Sequence, residues 1–365
     1  MKILFAIKDL NNSKGGAERV LAIVASGLAN AGHDVTILTY DKLGGQSYYP
    51  LDPKVQRLSL GIGHSQQNAS FNETVGRVRA LRRVLTVRKP DVVVPFMHSM
   101  FIPMSLAAVG TGVPVIASEH IVPTHYKTRP LQFLLLLISS LLIDELTVLS
   151  PTVRRSYPWL IRRKMVVMPN PVEAPTGARK KSDADKRILL NVGRLDEQKD
   201  QKTLIRAFAN LAQDFPDWNV KIFGEGPLKG FLKKLIKKHM LEDRVLLMGT
   251  TPNIGKEYLN ADIFVMPSKY ESFGLATAEA MSYGLPSIGF LECPGTNELI
   301  KHQKNGLLVS KHKKDRIVEL EEAMRLLMSN EDMRQMLGVN AVSEINRYHP
   351  EIIVKQWEHV LEKYA

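Results

Sequence analysis

Short apolar segments alternate with amphipathic ones along most of the chain, and no other feature of the sequence restricts the possible folds as strongly. The first three segments predict a strand at Lys2–Ile7, a helix at Gly15–Asn30 and a second strand at Asp34–Tyr40. The alternation starts again with a strand at Ile188–Val192. Strands that alternate with helices form parallel sheets that are covered by helices on both faces. We therefore expect an α/β protein with two Rossmann-like, doubly wound domains that face a central cleft.

The length of 365 residues exceeds what one hydrophobic core usually organises, which also favours two domains. A charged, non-periodic stretch at Glu173–Lys186 is typical of a linker. We place an amino-terminal domain at 1–172, the linker at 173–186 and a second domain at 187–349. The last segment, 350–365, predicts a helix that docks back on the first domain.

The sequence contains one cysteine, Cys293, so neither an intrachain disulfide nor a cysteine metal cluster can form. The segment MKILFAIKDL has no charged leader and no cleavage site, and we interpret it as a buried strand rather than a signal peptide. We therefore predict a cytoplasmic protein.

The net charge of +12 is concentrated in the first half, because residues 1–172 carry +10 and residues 173–365 carry +2. A one-sided basic surface favours an anionic partner: nucleic acid, an anionic membrane or a phosphorylated substrate. A basic surface that only maintains solubility is the alternative. The sequence shows no aromatic-interleaved basic platform and no helix-turn-helix pattern, so the charge alone would bind nucleic acid nonspecifically.

A basic amphipathic helix is predicted at Val75–Lys89. It is either an ordinary surface helix with solvated arginines or a helix whose basic side contacts lipid phosphates or a diphosphate substrate. The candidate residues for contact with a membrane or an acceptor are Arg77, Arg79, Arg82, Arg83 and Arg88.

The most apolar segment of the chain is Leu131–Ile143, LQFLLLLISSLLI. Its 13 residues fall short of the roughly 20 that a helix needs to span a bilayer. We interpret it as a buried core helix in preference to a segment that lies in a membrane interface.

Two carboxylates, Glu271 and Glu279, lie on either side of a predicted loop-to-helix junction. Glu271 follows an apolar strand at Ile263–Pro267, and Glu279 projects from a helix that begins after Gly274. In open α/β sheets, ligands bind outside the carboxyl ends of the strands, where the start of a helix offers free N–H groups to a phosphate. Both carboxylates are therefore predicted to face one ligand-binding crevice.

Further polar residues follow other strands of the second half. Arg194 and Lys199 come after its first strand, and Gly224 and Gly226 come after the next. Two cations suit a diphosphate, because arginine grips two oxygens and lysine adds a compact charge. The Glu279 carboxylate suits a ribose diol, since it can accept two hydroxyl hydrogen bonds. Their convergence at strand ends outweighs the possibility that each is a plain surface residue.

A glycine pair, Gly15-Gly16, lies at the start of the first helix. A missing Cβ at this position would let the backbone approach a phosphate or a sugar. The spacing differs from the GxGxxG fingerprint, and an ordinary turn is the alternative.

Six motifs together resemble the retaining glycosyltransferases of family four, which have the GT-B architecture of two Rossmann-like domains. The motifs are GGAE at 15–18, SEH at 118–120, MPNPV at 168–172, GR with Lys199 five residues after Arg194, GEGP at 224–227 and E-x7-E at 271–279. They cover nearly the whole chain, and the E-x7-E pair is the most specific. ECPGTNELI at 292–300 looks like the bacterial branch that builds lipid-linked glycans, although its Gly295 to Glu298 segment replaces the GGxxE-like form of many relatives.

The resemblance implies a role for each matching residue. Arg194 and Lys199 would hold the donor diphosphate, Glu279 the ribose and Glu271 the transferred sugar. His120 would lie near the donor sugar and the acceptor, and the glycine pair would close over the diphosphate from the other domain. The implied catalytic residues are Arg194, Lys199, Glu271 and His120, and the implied donor-binding residues are Gly15, Gly16, Gly224, Gly226, Thr250, Ser272, Phe273, Gly274, Leu275 and Glu279.

The resemblance also implies a UDP-sugar donor, front-face attack with retention of configuration, and no metal or other cofactor. The transferred unit would be a hexose or an N-acetylhexosamine, with GalNAc the best candidate. The acceptor would be a polyprenyl-diphosphate-linked saccharide or another glycan, and the basic first domain would rest on the inner face of the plasma membrane. A nucleotide-sugar epimerase of the same fold is the main alternative, and a nonspecific nucleic-acid-binding protein is a weaker one.

Overall fold

The computed structural model describes residues 1–11, 15–62, 71–177, 187–310 and 315–365. The contacts within the chain divide it into two units. The first unit comprises Met1–Pro171 together with Pro350–Ala365, and the second comprises Val172–His349. Part of the predicted linker, residues 178–186, lies outside the described residues.

Strands and helices alternate along both units. The strands are Lys2–Ala6 (β1), Asp34–Thr39 (β2), Gln56–Ser59 (β3), Val92–Pro95 (β4), Ile116–Glu119 (β5), Glu145–Val148 (β6), Met165–Val167 (β7), Arg187–Val192 (β8), Trp218–Phe223 (β9), Val245–Gly249 (β10), Ile263–Val265 (β11), Ser287–Phe290 (β12) and Gly306–Val309 (β13). The helices are Gly16–Asn30 (α1), Phe71–Arg88 (α2), His98–Ala108 (α3), Pro130–Leu142 (α4), Pro151–Ser156 (α5), Trp159–Arg162 (α6), Gln201–Leu211 (α7), Lys229–Lys238 (α8), Ile254–Leu259 (α9), Leu275–Ser282 (α10), Thr296–Leu299 (α11), Arg316–Ser329 (α12), Glu331–Ile345 (α13) and Pro350–Leu361 (α14). Short 3₁₀ turns occupy Pro123–Thr128, Asn346–Tyr348 and Glu362–Tyr364.

The second unit contains a six-stranded parallel sheet in the order β10-β9-β8-β11-β12-β13. The order reverses between β8 and β11, which are neighbours although two strands and three helices separate them in the chain. Helix α7 packs on this sheet because Leu204, Phe208 and Leu211 recur at helical spacing and are fully buried. The loops after β8 and β11 therefore meet at the switch point of a doubly wound sheet.

The first unit repeats this arrangement. Strands β3-β2-β1-β4 form one parallel sheet and β5-β6-β7 another, and parallel bridges at Val93–Val115 and Phe96–Ser118 join the two. The order reverses between β1 and β4. The predicted fold class, two Rossmann-like α/β halves, is confirmed by the parallel sheets of the two units.

The carboxy-terminal helix α14 belongs to the core of the first unit. Its Trp357 ring contacts the rings of Phe5 and Phe96, with centroids 6.3 and 6.1 Å apart. A Cβ at Gly27 of α1 would overlap Val354, so glycine lets the two helices approach closely. Helix α14 thus supplies a large fully buried side chain to a sheet formed more than 250 residues earlier in the chain.

Helix α4 does not fit the expectation of a buried core helix. Most of its aliphatic side chains are exposed, whereas Ser139 and Ser140 are buried. The interpretation as a core helix was wrong, because a run of leucines gives no periodicity that distinguishes its inner face from its outer face. Across the described residues, no helix combines the length and the apolarity that crossing a membrane requires.

Candidate active site

The loops that follow β8 and β11 are joined at the switch point of the second unit. The amide of Lys269 donates to the carbonyl of Gln198 at 2.8 Å, and Nε2 of Gln198 donates to the carbonyl of Tyr270 at 3.0 Å. These bonds bring the segment that carries Lys199 against the segment that carries Glu271. The predicted convergence of the two strand ends is present in the structure.

Lys199 and Glu271 form an ion pair at this junction. Nζ of Lys199 lies 2.6 Å from Oε1 of Glu271, and Oγ of Ser268 donates to the same oxygen at 2.7 Å. Glu271 is buried, with 7% of its surface exposed, and the side chain of Lys199 is mostly buried. Each charge therefore compensates the other where water is largely excluded, and the loss of either would leave a buried charge without its partner.

Arg194 lies on the same loop but is largely exposed. Its Nε donates to Oδ2 of Asp196 at 2.6 Å. The second oxygen of Asp196 accepts from the backbone amides of Gln198 and Lys199, at 3.1 and 3.0 Å. Asp196, which we did not select from the sequence, therefore fixes both the loop and the direction of the guanidinium. The sequence signal for this role is an aspartate two residues before a turn, where its side chain can accept main-chain hydrogen bonds.

Arg316 supports both loops from the start of α12. One of its Nη atoms donates to the carbonyl of Pro267 at 2.6 Å, and its Nε lies 3.4 Å from Oδ2 of Asp200. Its guanidinium also lies 3.6 Å from the centroid of the Phe290 ring. The sequence offered no signal for this residue, because it lies about 50 positions beyond the loop that it holds.

Glu279 is buried on α10, and the hydroxyl of Tyr258 donates to its Oε2 at 3.0 Å. Gly274, which precedes the helix, has φ +89°, a conformation that favours glycine. Phe273 turns its ring into the protein, where it meets the edge of Tyr348 at 5.2 Å. Of Ser272, Phe273 and Leu275, the Phe273 side chain is thus committed to packing, and only its backbone could meet a ligand.

Gly224 and Gly226 have a structural reason to be glycine. Gly224 has φ +141°, and a Cβ there would overlap the carbonyl of Gly193. A Cβ at Gly226 would overlap the backbone of Leu195. These glycines let the loop after β9 lie directly against the loop that carries Arg194, while Thr250 lies exposed just after β10.

In the first unit, His120 follows β5 and lies against the Phe96 ring, with centroids 5.0 Å apart. The Phe96 ring in turn stacks on Trp357. Nε2 of His120 lies 3.0 Å from Oγ of Ser118, and loss of solvation lowers the pKa of His120 to about 3. His120 is therefore neutral at pH 7 and can exchange hydrogen bonds with a hydroxyl without carrying charge.

Glu119, the middle residue of SEH, is fully buried. Its carboxylate accepts from the hydroxyl of Tyr126 at 2.7 Å and from the amide of Ile121 at 3.0 Å. Burial raises its pKa to about 7, despite these bonds. Glu119 thus titrates near neutral pH immediately beside His120.

Basic side chains gather near the carboxyl ends of β1 and β4. The Tyr126 ring lies between the rings of His98 and His125, with centroids 5.5 and 5.7 Å away, and Nη1 of Arg129 lies 2.9 Å from Nε2 of His125. Burial and the charges of His125, Arg129 and Lys8 lower the pKa of His98 to about 4. Burial and the charge of Arg77 lower the pKa of Lys8 as well. We call Lys8, Arg77, His98, His125 and Arg129 the cationic cluster; sequence reasoning selected only Arg77 among them.

The five arginines of α2 differ in their surroundings. The guanidinium of Arg77 lies 4.9 Å from the centroid of the Tyr40 ring. Nη1 of Arg82 donates to the carbonyls of Ala107 and Val109, at 3.2 and 2.6 Å, and so caps the end of α3. Arg79, Arg83 and Arg88 are exposed.

Gly15 precedes α1 with φ −81°, which any residue can adopt. A Cβ there would meet only the flexible side chain of Glu18. Unlike Gly224, Gly15 is therefore not required by the fold, and residues 12–14 before it lie outside the described residues. Among the described residues, no group of three or more histidine, cysteine, aspartate or glutamate side chains could hold a metal ion.

Two family profiles account for almost all of the chain. The profile of Glycosyltransferase Family 4 matches residues 14–174, and the profile of Glycosyl transferases group 1 matches residues 176–343. The chain belongs to glycosyltransferase family four. The boundary between the two profiles falls within a few residues of the boundary between the two units.

Known proteins that resemble this family member over its full length support the assignment. An uncharacterized glycosyltransferase of Haemophilus influenzae is 25% identical over 99% of both chains. A Campylobacter jejuni enzyme, GalNAc-alpha-(1->4)-GalNAc-alpha-(1->3)-diNAcBac-PP-undecaprenol alpha-1,4-N-acetyl-D-galactosaminyltransferase, is 27% identical over 98% of this chain and 97% of its own. Anabaena HepE, solved in complex with UDP and glucose, has the same fold, with a TM-score of 0.78, 18% identity and full coverage of both chains.

Proposed function

We propose that this glycosyltransferase moves a hexose or an N-acetylhexosamine, with GalNAc the best candidate, from a UDP-sugar to a polyprenyl-diphosphate-linked or other glycan acceptor. The observation that carries the proposal is the Lys199–Glu271 pair at the switch point of the second unit, beside the exposed guanidinium of Arg194. A switch point is where a doubly wound sheet binds nucleotides.

The donor would bind with its diphosphate at the two cations. Arg194 can grip two phosphate oxygens, and Lys199 can turn one of its three donors from Glu271 toward the phosphate. Glu271 would then be free to accept from a hydroxyl of the transferred sugar. Glu279, already held by Tyr258, would accept from the ribose hydroxyls.

The transfer would follow front-face attack with retention of configuration. The acceptor hydroxyl oxygen forms a bond to the anomeric carbon while the bond from that carbon to the diphosphate oxygen breaks, and the hydroxyl proton passes to the departing diphosphate. Lys199 and Arg194 stabilise the negative charge that develops on UDP. With two cations in this position we propose that no metal is required.

The acceptor would bind to the first unit. His120 is neutral at pH 7, so it would orient a hydroxyl group without adding a positive charge beside the cationic cluster. The cationic cluster at the ends of β1 and β4 suits the diphosphate of a lipid-linked acceptor. Such an acceptor is named for the Campylobacter jejuni relative. We propose that the enzyme works at the cytoplasmic face of the membrane, with Arg79, Arg83 and Arg88 near anionic lipid.

The test is incubation with a panel of UDP-sugars and polyprenyl-diphosphate-linked saccharides, followed by mass spectrometry of the products and NMR of the new anomeric centre. Sugar transfer with a retained α configuration is expected. Conversion of the donor in the absence of any acceptor would instead identify an epimerase.

The chain offers a matched control for the site. Lys202 pairs with Glu197 at 2.7 Å on the same unit, but on a more exposed surface. Lys199→Ala is expected to reduce kcat on the order of 100-fold or more, whereas Lys202→Ala should retain wild-type activity. Equal activity of both variants would contradict the assignment of Lys199.

A further inference from the structure

Helix α4 has the reverse of the usual amphipathic pattern. Its polar residues Ser139 and Ser140 are buried, and their hydroxyls donate to the carbonyls of Leu136 and Leu137 at 3.0 and 2.6 Å. The aliphatic side chains that face water are Leu131, Leu134, Leu135, Ile138, Leu141 and Leu142. Surface helices of water-soluble proteins place these residue types the other way round.

The six exposed aliphatic residues form one continuous stripe. They recur at intervals of three and four positions, which places them on one face of a helix. Its most open residues are Leu131 and Leu141, which are 67% and 64% exposed. A contiguous apolar surface of this kind marks a site of contact with a membrane or with another protein.

A second apolar element lies near the carboxyl end of α4. Nζ of Lys164 donates to the carbonyls of Leu141 and Ile143, at 3.4 and 2.6 Å, and so holds the turn that contains α6 against this end of the helix. That turn exposes Trp159 and Leu160. Tryptophan favours the boundary between acyl chains and headgroups, because its ring is apolar and its N–H is polar.

The charges around the stripe match an anionic surface. Between Lys127 and Lys164 the chain has seven lysines and arginines and two acids. Both acids have partners: Asp144 accepts from the amide of Val115 at 2.8 Å, and Glu145 pairs with Lys363 at 3.1 Å. Cations therefore flank the apolar stripe at both ends of α4, with no acid within the helix itself.

We propose that α4, together with Trp159 and Leu160, inserts into the interfacial layer of an anionic bilayer. The helix would lie parallel to the membrane, with its stripe below the headgroups and the flanking cations at the level of the lipid phosphates. The proposal gives a specific surface to the membrane association in the proposed function and rests on it for its biological purpose. It also moves the main contact from α2, whose exposed arginines lack an adjoining aliphatic stripe, to α4.

Vesicle co-sedimentation tests the stripe directly. The triple variant Leu134→Gln/Ile138→Gln/Leu141→Gln is compared with Leu43→Gln/Met240→Gln/Val339→Gln, which changes three exposed apolar residues elsewhere. On phosphatidylcholine vesicles that contain phosphatidylglycerol, the first variant should lose affinity on the order of 100-fold, and the second should bind as the wild type does. Circular dichroism verifies that both variants fold.

The tryptophans provide an independent probe. Trp218 and Trp357 are buried, whereas Trp159 is 63% exposed. Addition of anionic vesicles should therefore shift the emission of the protein to shorter wavelength, and Trp159→Phe should abolish the shift. An unchanged wild-type spectrum, or a triple variant that binds vesicles as the wild type does, would overturn the proposal.

Two further outcomes separate this inference from its rivals. A wild-type dimer that the triple variant converts to monomer, with vesicle binding unaffected, would assign the stripe to a second copy of the chain and overturn the membrane role. Vesicle binding is measured without donor or acceptor, so a failure of sugar transfer would leave the inference standing. Conversely, loss of vesicle binding with full transfer to a lipid-free acceptor would leave the proposed chemistry standing.

Discussion

The two switch points of this glycosyltransferase differ in how their charged side chains are paired. In the second unit, Lys199 and Glu271 neutralise each other within a buried junction, and Asp196 holds Arg194 in place. In the first unit, the cationic cluster contains repelling groups, and the nearby Glu119 is bonded to a neutral tyrosine rather than to a cation. The same sheet topology thus supports one site whose two cations are each paired with an acid and one in which basic side chains lie beside one another.

The difference indicates how each half would respond to an anion. A charge-balanced junction gains little from an anion unless the anion takes over one partner of the existing pair, which makes binding selective in geometry. A cationic cluster attracts any anion and is relieved of repulsion when one binds. The first kind suits a defined nucleotide diphosphate, and the second suits an acceptor whose phosphate can vary in its attachments.

The largest effect is expected when one member of the Lys199–Glu271 ion pair is removed. Lys199→Met or Glu271→Gln alone should lower the free energy of unfolding by about 3 to 5 kcal/mol, because each leaves a buried polar or charged group without its partner. The double variant should recover much of that stability but no activity. Urea unfolding gives the stability of all four proteins, and near-additive losses would show that the pair is not coupled.

The glycine loops of the two units should respond differently to alanine. Gly224→Ala places a Cβ against the backbone of Gly193 at a positive φ, so a loss of about 3 kcal/mol is expected. Gly15→Ala requires no change in φ and should cost less than about 1 kcal/mol. Thermal unfolding of the two variants measures the contrast, and equal losses would refute it.

Glu119 should make the stability of the first unit dependent on pH. Its pKa of about 7 in the folded protein lies above the ordinary value of 4.5, so the folded state keeps a proton that the unfolded state releases. The contribution of Glu119 to the free energy of unfolding is therefore present in full below pH 4.5 and is lost as the pH rises through 7. Glu119→Gln should remove this decline and gain about 2 to 3 kcal/mol at pH 8 relative to the wild type. Urea unfolding at pH 5 and pH 8 measures it, and parallel curves for the two proteins would contradict the assignment.

The smallest expected effect concerns the hydrogen bond that holds Glu279. Tyr258→Phe removes the hydroxyl that donates to its Oε2 and should cost about 1 kcal/mol. Affinity for UDP, measured by calorimetry, should fall roughly fivefold if the same bond orients the carboxylate toward the ribose. Tyr283→Phe serves as the control, because the hydroxyl of this nearby tyrosine lies by Thr176 and its main-chain bond to the Glu279 carbonyl is kept. An equal loss there would remove the specific role of Tyr258.

The sequence predicted the second unit better than the first for a physical reason. Arg194, Lys199 and Glu271 each lie a few residues beyond an obvious apolar strand, and parallel strands bring their carboxyl ends to one edge. The same rule applied to the first half would have selected Lys8 after β1 and His98 after β4. It was not decisive there, because His125 lies in a 3₁₀ turn that no periodicity marks and Arg129 follows directly after it.

Other features depend on contacts that local patterns do not encode. Arg316 and Asp200 meet across more than 100 positions, and Tyr258 reaches Glu279 from a different helix. Helix α4 illustrates a different limit, since hydropathy gives its length but not the face that is buried. The adjacent pair Ser139-Ser140 was the available signal, because two small hydroxyl residues in a leucine run mark the side that packs against the protein.

The position of Trp357 has a consequence for biosynthesis. Trp357 supports the Phe96 ring, and Phe96 in turn supports His120. The ribosome reaches Trp357 only after it has translated the whole of the second unit. At ribosomal rates of about 5 to 20 residues per second, the first unit must wait roughly 10 to 35 s for its last core element. During that interval its unfilled core is exposed, so the nascent amino-terminal half is where a chaperone would act. A chain released early would have an unfinished first unit even though its amino-terminal residues were the first to be made.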